Sequence, residues 1–280
     1  MRKLLLLGTA LWATVAGARV TLPAHFTHNM VLQQQRTLTI RGTAKAGSAV
    51  TLTTTWGKSA AATAQADGSF TLQVQTPKAS LKPQTLTFSD GEETRLDNVL
   101  IGEVWLGSGQ SNMEMPLAGW GKVLNYEQEI ADAQYTMIRL LQVKKVTAIA
   151  PQRDITPTMG GWQECSPQTV PEFSALCYFY ALRLWEELKV PIGVIDDDWG
   201  GTPCESWIRS EALADVMGFR DQMQMLRRLG DDVEAIRREY SFDTWNSRVE
   251  AVDPGTSGKE MWYAADYNEA AWRAMGQPVS

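Results

Sequence analysis

Ser111 is the residue of this chain whose setting best suits nucleophilic chemistry. It lies in Ile101-Gly102-Glu103-Val104-Trp105-Leu106-Gly107-Ser108-Gly109-Gln110-Ser111-Asn112-Met113. From Val99 to Leu106 the chain is apolar and β-branched enough for a buried strand. Gly107, Ser108 and Gly109 then free the backbone, and Ser111 arrives where a helix could begin. A serine at such a strand-to-helix break exposes its hydroxyl at the carboxyl edge of a sheet. Backbone N–H groups at the helix start can there stabilise a developing oxyanion. The Gly-x-Ser-x-Gly elbow itself is absent, because Met113 stands where its second glycine would be.

A second stretch belongs at the same edge. The expected strand Val190-Pro191-Ile192-Gly193-Val194-Ile195 runs into Asp196-Asp197-Asp198-Trp199-Gly200-Gly201-Thr202-Pro203, then Glu205-Ser206-Trp207. Ligands of open α/β sheets meet the carboxyl ends of the strands, so this segment should face Ser111. Taken alone, Gly200 and Gly201 read equally well as a turn that needs glycine backbone angles. Three adjacent carboxylates could suggest calcium. Without further oxygen ligands at loop spacing they read instead as a solvated or partly paired loop, and no metal is expected.

A serine needs a base to take its proton, usually a histidine oriented by a carboxylate. The chain has two histidines, His25 and His28, and both lie far upstream of Ser111 among expected loops and turns. Glu114 or one of the three aspartates could act as an unusual base, but a carboxylate is too acidic for that task unless buried.

Gly109-Gln110-Ser111-Asn112-Met113, within the longer run from Gly102-Glu103-Val104-Trp105 to Met113-Glu114-Met115-Pro116, resembles the first block of the SGNH hydrolases. The branch is the one containing the sialate O-acetylesterases and related carbohydrate acetylesterases. Trp199-Gly200-Gly201-Thr202 with Trp207 resembles the family's second block, whose glycine offers a backbone N–H to the oxyanion. The resemblance implies Ser111 as nucleophile and favours Gly201 for the oxyanion, with Gly200 the alternative. It implies removal of O-acetyl groups from a sugar, sialic acid or a polysaccharide, through an acetyl-enzyme and without a cofactor. The charged residues before Trp199 depart from the family pattern. An asparagine-bearing block and an Asp-x-x-His pair, which the family carries downstream, are not recognisable here. The chain therefore reads as the leading part of such an esterase, cut short before its acid–base pair, with weak or absent activity and an uncovered sheet edge.

The elements that must position these residues fall in two kinds. From residue 19 to 97 the pattern is short alternating strands and turns, such as Thr37 to Gly42, Ala49 to Thr53, and Thr71 to Val74 after a hairpin-type turn at Ala66-Asp67-Gly68. This suggests a small β-sandwich. From 98 to 210 strands alternate with helices. A strand is expected at Met137 to Val143, and a long covering or functional loop from Thr147 to Pro171. A helix is expected from Glu172 to Lys189, with Phe173, Leu176, Cys177, Tyr180, Leu184 and Leu188 near one face. The class is α/β, and the resemblance implies an incomplete three-layer α/β/α parallel sheet behind the β-sandwich. Residues 211 to 252 read as a charged helical insertion, and 253 to 280 as the start of a further inserted module.

Composition restricts the partners. Of 280 residues 44% are hydrophobic and 21% charged, with net charge −6 and no Lys/Arg-rich run, which argues against a nucleic-acid partner. Residues 1 to 18 read as a signal peptide: Arg2 and Lys3, an apolar run from Leu4 to Ala16, and Ala16-Gly17-Ala18 as cleavage site. That run is too short for a comfortable membrane span, so a periplasmic or secreted protein is expected. Three cysteines, Cys165, Cys177 and Cys204, imply no disulfide framework. A different class of function also fits: a non-catalytic carbohydrate-binding or vestigial module, in which some of the eleven tryptophans stack on sugar rings.

Overall fold

The computed structural model describes residues 19–253 other than 122, 149, 150, 231, and the single positions 255, 264, 266, 268 and 270. The expected signal peptide lies outside the described residues, as does nearly all of the segment from 253 to 280. The chain divides into two compact units, one ending at Trp207 and one beginning at Ile208.

The first unit opens with seven strands: β1 Val31–Gln33, β2 Thr37–Thr43, β3 Ala49–Thr54, β4 Ser59–Thr63, β5 Ser69–Gln75, β6 Ser80–Ser89 and β7 Glu93–Gly109. Side chains alternate between core and solvent along them. Val50 and Leu52 of β3, Phe70, Leu72 and Val74 of β5, and Leu86 and Phe88 of β6 point into one apolar cluster. The turn at Asp67-Gly68 forms, with Ser69 N–H donating to Asp67 Oδ1 at 2.9 Å and Gly68 at a φ of +81°. It does not close a hairpin. β4 pairs with β3 and β5 with β2, so this turn carries the chain from one layer of a sandwich to the other. The short-range turn signal cannot tell those two outcomes apart.

β7 joins the sandwich to the rest of the unit. Its first half pairs antiparallel with β6, Leu100 to Gly102 pair parallel with β1, and Glu103 to Gly109 pair parallel with the last strand of the unit. The boundary expected near residue 98 falls inside this continuous strand, at Asn98, which kinks it with a φ of 57°.

Beyond β7 come α1 Ser111–Glu114, α2 Tyr126–Asp132, β8 Tyr135–Gln142, β9 Gln163–Cys165, α3 Ala175–Leu188 and β10 Ile192–Asp198. β10 lies between β7 and β8, parallel to both, and β9 adds antiparallel outside β8. This is an α/β sheet continuous with one layer of the sandwich. One face packs against α3 through Ile138, Leu140, Ile192, Val194, Cys177, Tyr178 and Ala181. On the other face, a Cβ at Gly193 would meet Val31 and Trp162, so β1 and the long loop lie there. That loop does cover: Trp162 is buried and donates to His25 O at 2.9 Å, and Asp154 accepts the Ala24 N–H. Arg139, 1% exposed, ties the layers, donating to Asn29 O at 3.1 Å and pairing with Glu164 at 3.2 Å.

The helix expected from 172 forms as α3, capped by Ser174 Oγ accepting from Cys177 N–H at 3.2 Å. Its buried face differs from the expected one. Ala175, Cys177, Tyr178 and Ala181 are inward, whereas Leu176, Tyr180 and Leu188 are exposed. Small residues let the helix axis approach the sheet, and that decides the face. The aspartates also differ from expectation: they continue β10 rather than forming a loop. With a period of two, Asp196 and Asp198 follow Ile192 and Val194 inward, and both are buried.

The second unit contains α4 Ser210–Ala214, α5 Arg220–Leu229, α6 Val233–Glu239 and α7 Phe242–Val252. Asp232 caps α6 and Ser241 caps α7 through their side-chain oxygens. Ion pairs Arg237–Glu234 and Arg248–Glu239 lie on its surface.

Candidate active site

β7 ends at Gly109, and α1 starts two residues later at Ser111, so the serine stands at the carboxyl end of the parallel strands. Close packing beneath it explains the small residues. A Cβ at Gly107 would run into Cys177 Sγ of α3, so only glycine lets the strand lie this close to the helix. Ser111 is half-buried and borders a pocket of about 350 Å³ lined by Ser108, Gly109, Gln110, Ser111, Asn112, Met113 and Leu176. Its hydroxyl donates to Gln110 Oε1 at 2.7 Å, and its N–H donates to the same oxygen at 3.2 Å.

The Trp199–Trp207 segment arrives at the same rim. Trp199 N–H donates to Gly109 O at 3.0 Å, continuing the register that pairs Asp198 with Gly109. The segment then folds on itself: Thr202 Oγ1 donates to Trp199 O at 2.6 Å and accepts from Trp207 Nε1 at 2.9 Å. That pair of bonds gives the spacing between Thr202 and Trp207 a structural purpose. The position that a Gly200 Cβ would occupy is 3.5 Å from Ser111 Cα. The two glycines are not equivalent. Gly200 N–H donates to Glu114 Oε2, whereas Gly201, at a φ of +79°, has no acceptor for its N–H among the described residues. Glu114 also pairs with Lys145. The Lys145 ammonium, and then the Gly200 N–H, hold its carboxyl below the ordinary carboxylate range.

Beneath this rim Asp196 and Asp198 form a buried acidic pair. Asp196 Oδ2 accepts from Gln142 Nε2 at 3.3 Å and from Ser174 N–H at 3.4 Å. Asp196 Oδ1 and Asp198 Oδ2 are buried without a hydrogen-bond partner among the described residues. Burial first, then the adjoining Asp198 carboxyl, push Asp196 up to about 8. It therefore holds a proton at neutral pH. Cys177, facing the pair from α3, is pushed up to about 11, chiefly by burial.

No imidazole or carboxylate hydrogen-bonds the Ser111 hydroxyl among the described residues. His28 Nδ1 accepts from Asp97 N–H at 3.0 Å, and His25 packs on Phe26 with ring centroids 4.7 Å apart. Both are engaged in loops of the β module. Among the described residues no group of three or more His, Cys, Asp or Glu side chains could hold a metal ion. None of the described helices is long and apolar enough to cross a membrane. Two contacts at the rim were not legible in the sequence. Gln110 as partner of the hydroxyl is a local matter of rotamer, and Lys145 reaches Glu114 from a loop 31 residues away.

No family model matches the chain. It is 28% identical to sialate O-acetylesterase of Homo sapiens over 180 residues, 62% of this chain and 33% of that protein. With the enzyme of Rattus norvegicus it shares 28% identity over 212 residues, 65% of this chain and 39% of that protein. The chain thus spans only 33 to 39% of the length of these relatives. In three dimensions it is similar to the crystal structure of a carbohydrate acetylesterase from Xanthomonas citri. The TM-score is 0.65 with 31% identity, covering 70% of this chain and 43% of that one. Two sequence blocks meeting at one sheet rim, the shared fold and these similarities agree: the chain resembles the sialate O-acetylesterases and, in fold, a carbohydrate acetylesterase of the SGNH branch.

Proposed function

We propose that this chain carries the nucleophile half of a carbohydrate O-acetylesterase. Ser111 Oγ attacks the acetyl carbonyl, and Gly201 N–H stabilises the tetrahedral oxyanion. A base takes the serine proton and passes it to the departing sugar oxygen. Water then hydrolyses the acetyl-enzyme to acetate, returning a proton to Ser111. No cofactor enters this cycle. The observation that carries the reading is the meeting of Ser111 with the Gly200-Gly201 loop, where one N–H has no acceptor among the described residues. The base is not supplied by the described residues, since His25 and His28 are both engaged elsewhere. An Asp-x-x-His pair is the group that the family resemblance calls for. The substrate is an O-acetylated sugar, with sialic acid and acetylated polysaccharide as the two candidates, and export is part of this reading.

The occupied histidines favour a second reading, a sugar-binding module without turnover. Nitrophenyl acetate hydrolysis by the purified chain separates them. The esterase reading expects slow turnover that Ser111→Ala lowers at least tenfold. Turnover indifferent to Ser111→Ala, or none at all while acetylated glycan still binds, would establish the second reading.

A further inference from the structure

We propose that Glu114 is a positioning residue: its carboxylate clasps the nucleophile segment to the glycine loop, engaging Gly200 and leaving Gly201 to meet the oxyanion. Three segments distant in the chain converge on this one side chain. Glu114 is the last residue of α1, the short helix that begins at Ser111. One of its oxygens accepts Gly200 N–H from the loop after β10, and the other pairs with Lys145 from the chain after β8. A Cβ at Gly200 would run into this same carboxylate, so the glycine is also what admits the contact. With Ser111 and Glu114 three residues apart on one turn, holding Glu114 against Gly200 fixes the loop relative to the serine hydroxyl.

Engaged with an anionic acceptor, Gly200 N–H is not free for a second one, while Gly201 N–H has no acceptor among the described residues. Lys145 balances the charge. Without it, a carboxylate one residue from the oxyanion donor would oppose the negative charge that develops on the substrate. The pair therefore presents a neutral clasp to the reaction. The catalytic consequence rests on the serine-esterase reading, but the clasp itself does not.

The test uses the whole chain labelled with ¹⁵N-glycine. The Gly200 amide resonance should move as pH falls through the titration of Glu114, below the ordinary carboxylate range. The Gly201 resonance should move much less. In Glu114→Gln the Gly200 titration should vanish. Glu114→Gln keeps an acceptor for Gly200 and should retain esterase kcat within about threefold. Glu114→Ala should lose about tenfold in kcat with KM within twofold, the pattern of a misplaced donor. Lys145→Met, which leaves Gly200 bonded, serves if the alanine variant misfolds, and should raise the pH at which the Gly200 amide titrates. A Gly200 amide indifferent to pH, or one that titrates unchanged in Glu114→Gln, overturns the clasp. Absence of any turnover dependent on Ser111 would defeat the esterase reading while the amide titration still decides the clasp.

Discussion

Gly107 shows how tightly the residues under Ser111 are constrained. The Cys177 thiol occupies the space a side chain would need there, and it also touches Met113, the sulfur atoms being 3.6 Å apart. Gly107→Ala must push the α3 thiol or the strand aside, costing about 1–3 kcal/mol, as overpacking of a close-packed core does. Thermal melting should show a fall of about 5 °C. Adding Cys177→Ala should restore most of it, because that change removes the obstructing sulfur. No loss in Gly107→Ala, or no recovery in the double variant, would contradict the packing argument. Arg139 makes the complementary point. It is a buried charge kept because it answers acceptors on three segments: Asn29 O, Thr136 O and Glu164.

Among the elements, β10 carries the pH dependence. Its inward face changes from Ile192 and Val194 to Asp196 and Asp198 without turning outward. Asp196 is raised to about 8 in the folded chain, against an ordinary carboxylate value of 3.8. Between those values the folded state holds a proton that the unfolded state has released. Stability is therefore fully present below about pH 4 as far as this group is concerned, and is lost as pH rises toward 8. Asp196→Asn keeps an uncharged side chain able to donate to Asp198 and should flatten that slope. Melting temperatures measured from pH 5 to 9 should decline in the native chain and decline less in the variant. Equal slopes would mean that the pair ionises without cost.

For the molecule as a whole, β7 is the organising element. Its residues Val99, Leu100 and Ile101 are fully buried, and they complete the sheet shared by the sandwich and the α/β part of the first unit. A fragment ending at residue 97 loses those three side chains together with the β1 pairing. Expressed alone, residues 19–97 should fail to give a cooperative melt, whereas residues 19–207 should melt in a single transition. A folded 19–97 fragment would show that the sandwich is independent of β7's second half. From Glu103 to Gly109, β7 is paired on one side only among the described residues. Trp105 and Leu106 stand 42% and 62% exposed there. An edge of this kind favours association.

The sequence by itself determined the local choices. Alternating residues made the strands of the sandwich, Ser174 and Lys189 bounded a helix, and a strand gave way to a helix between Gly109 and Ser111. Each of these depends on neighbours in the chain, through backbone sterics, capping and period. The α/β class followed from their order. The tertiary structure decided what depends on distant segments: which sheet each strand joined, and which face of α3 turned inward. It also placed the aspartates inside, because a buried strand continued past the last apolar residue and α3 closed over it. The difference between the Gly200 and Gly201 N–H groups belongs to this second kind. Nothing local separates two adjacent glycines, and only the approach of Glu114 across the sheet rim occupies one N–H and leaves the other without an acceptor among the described residues.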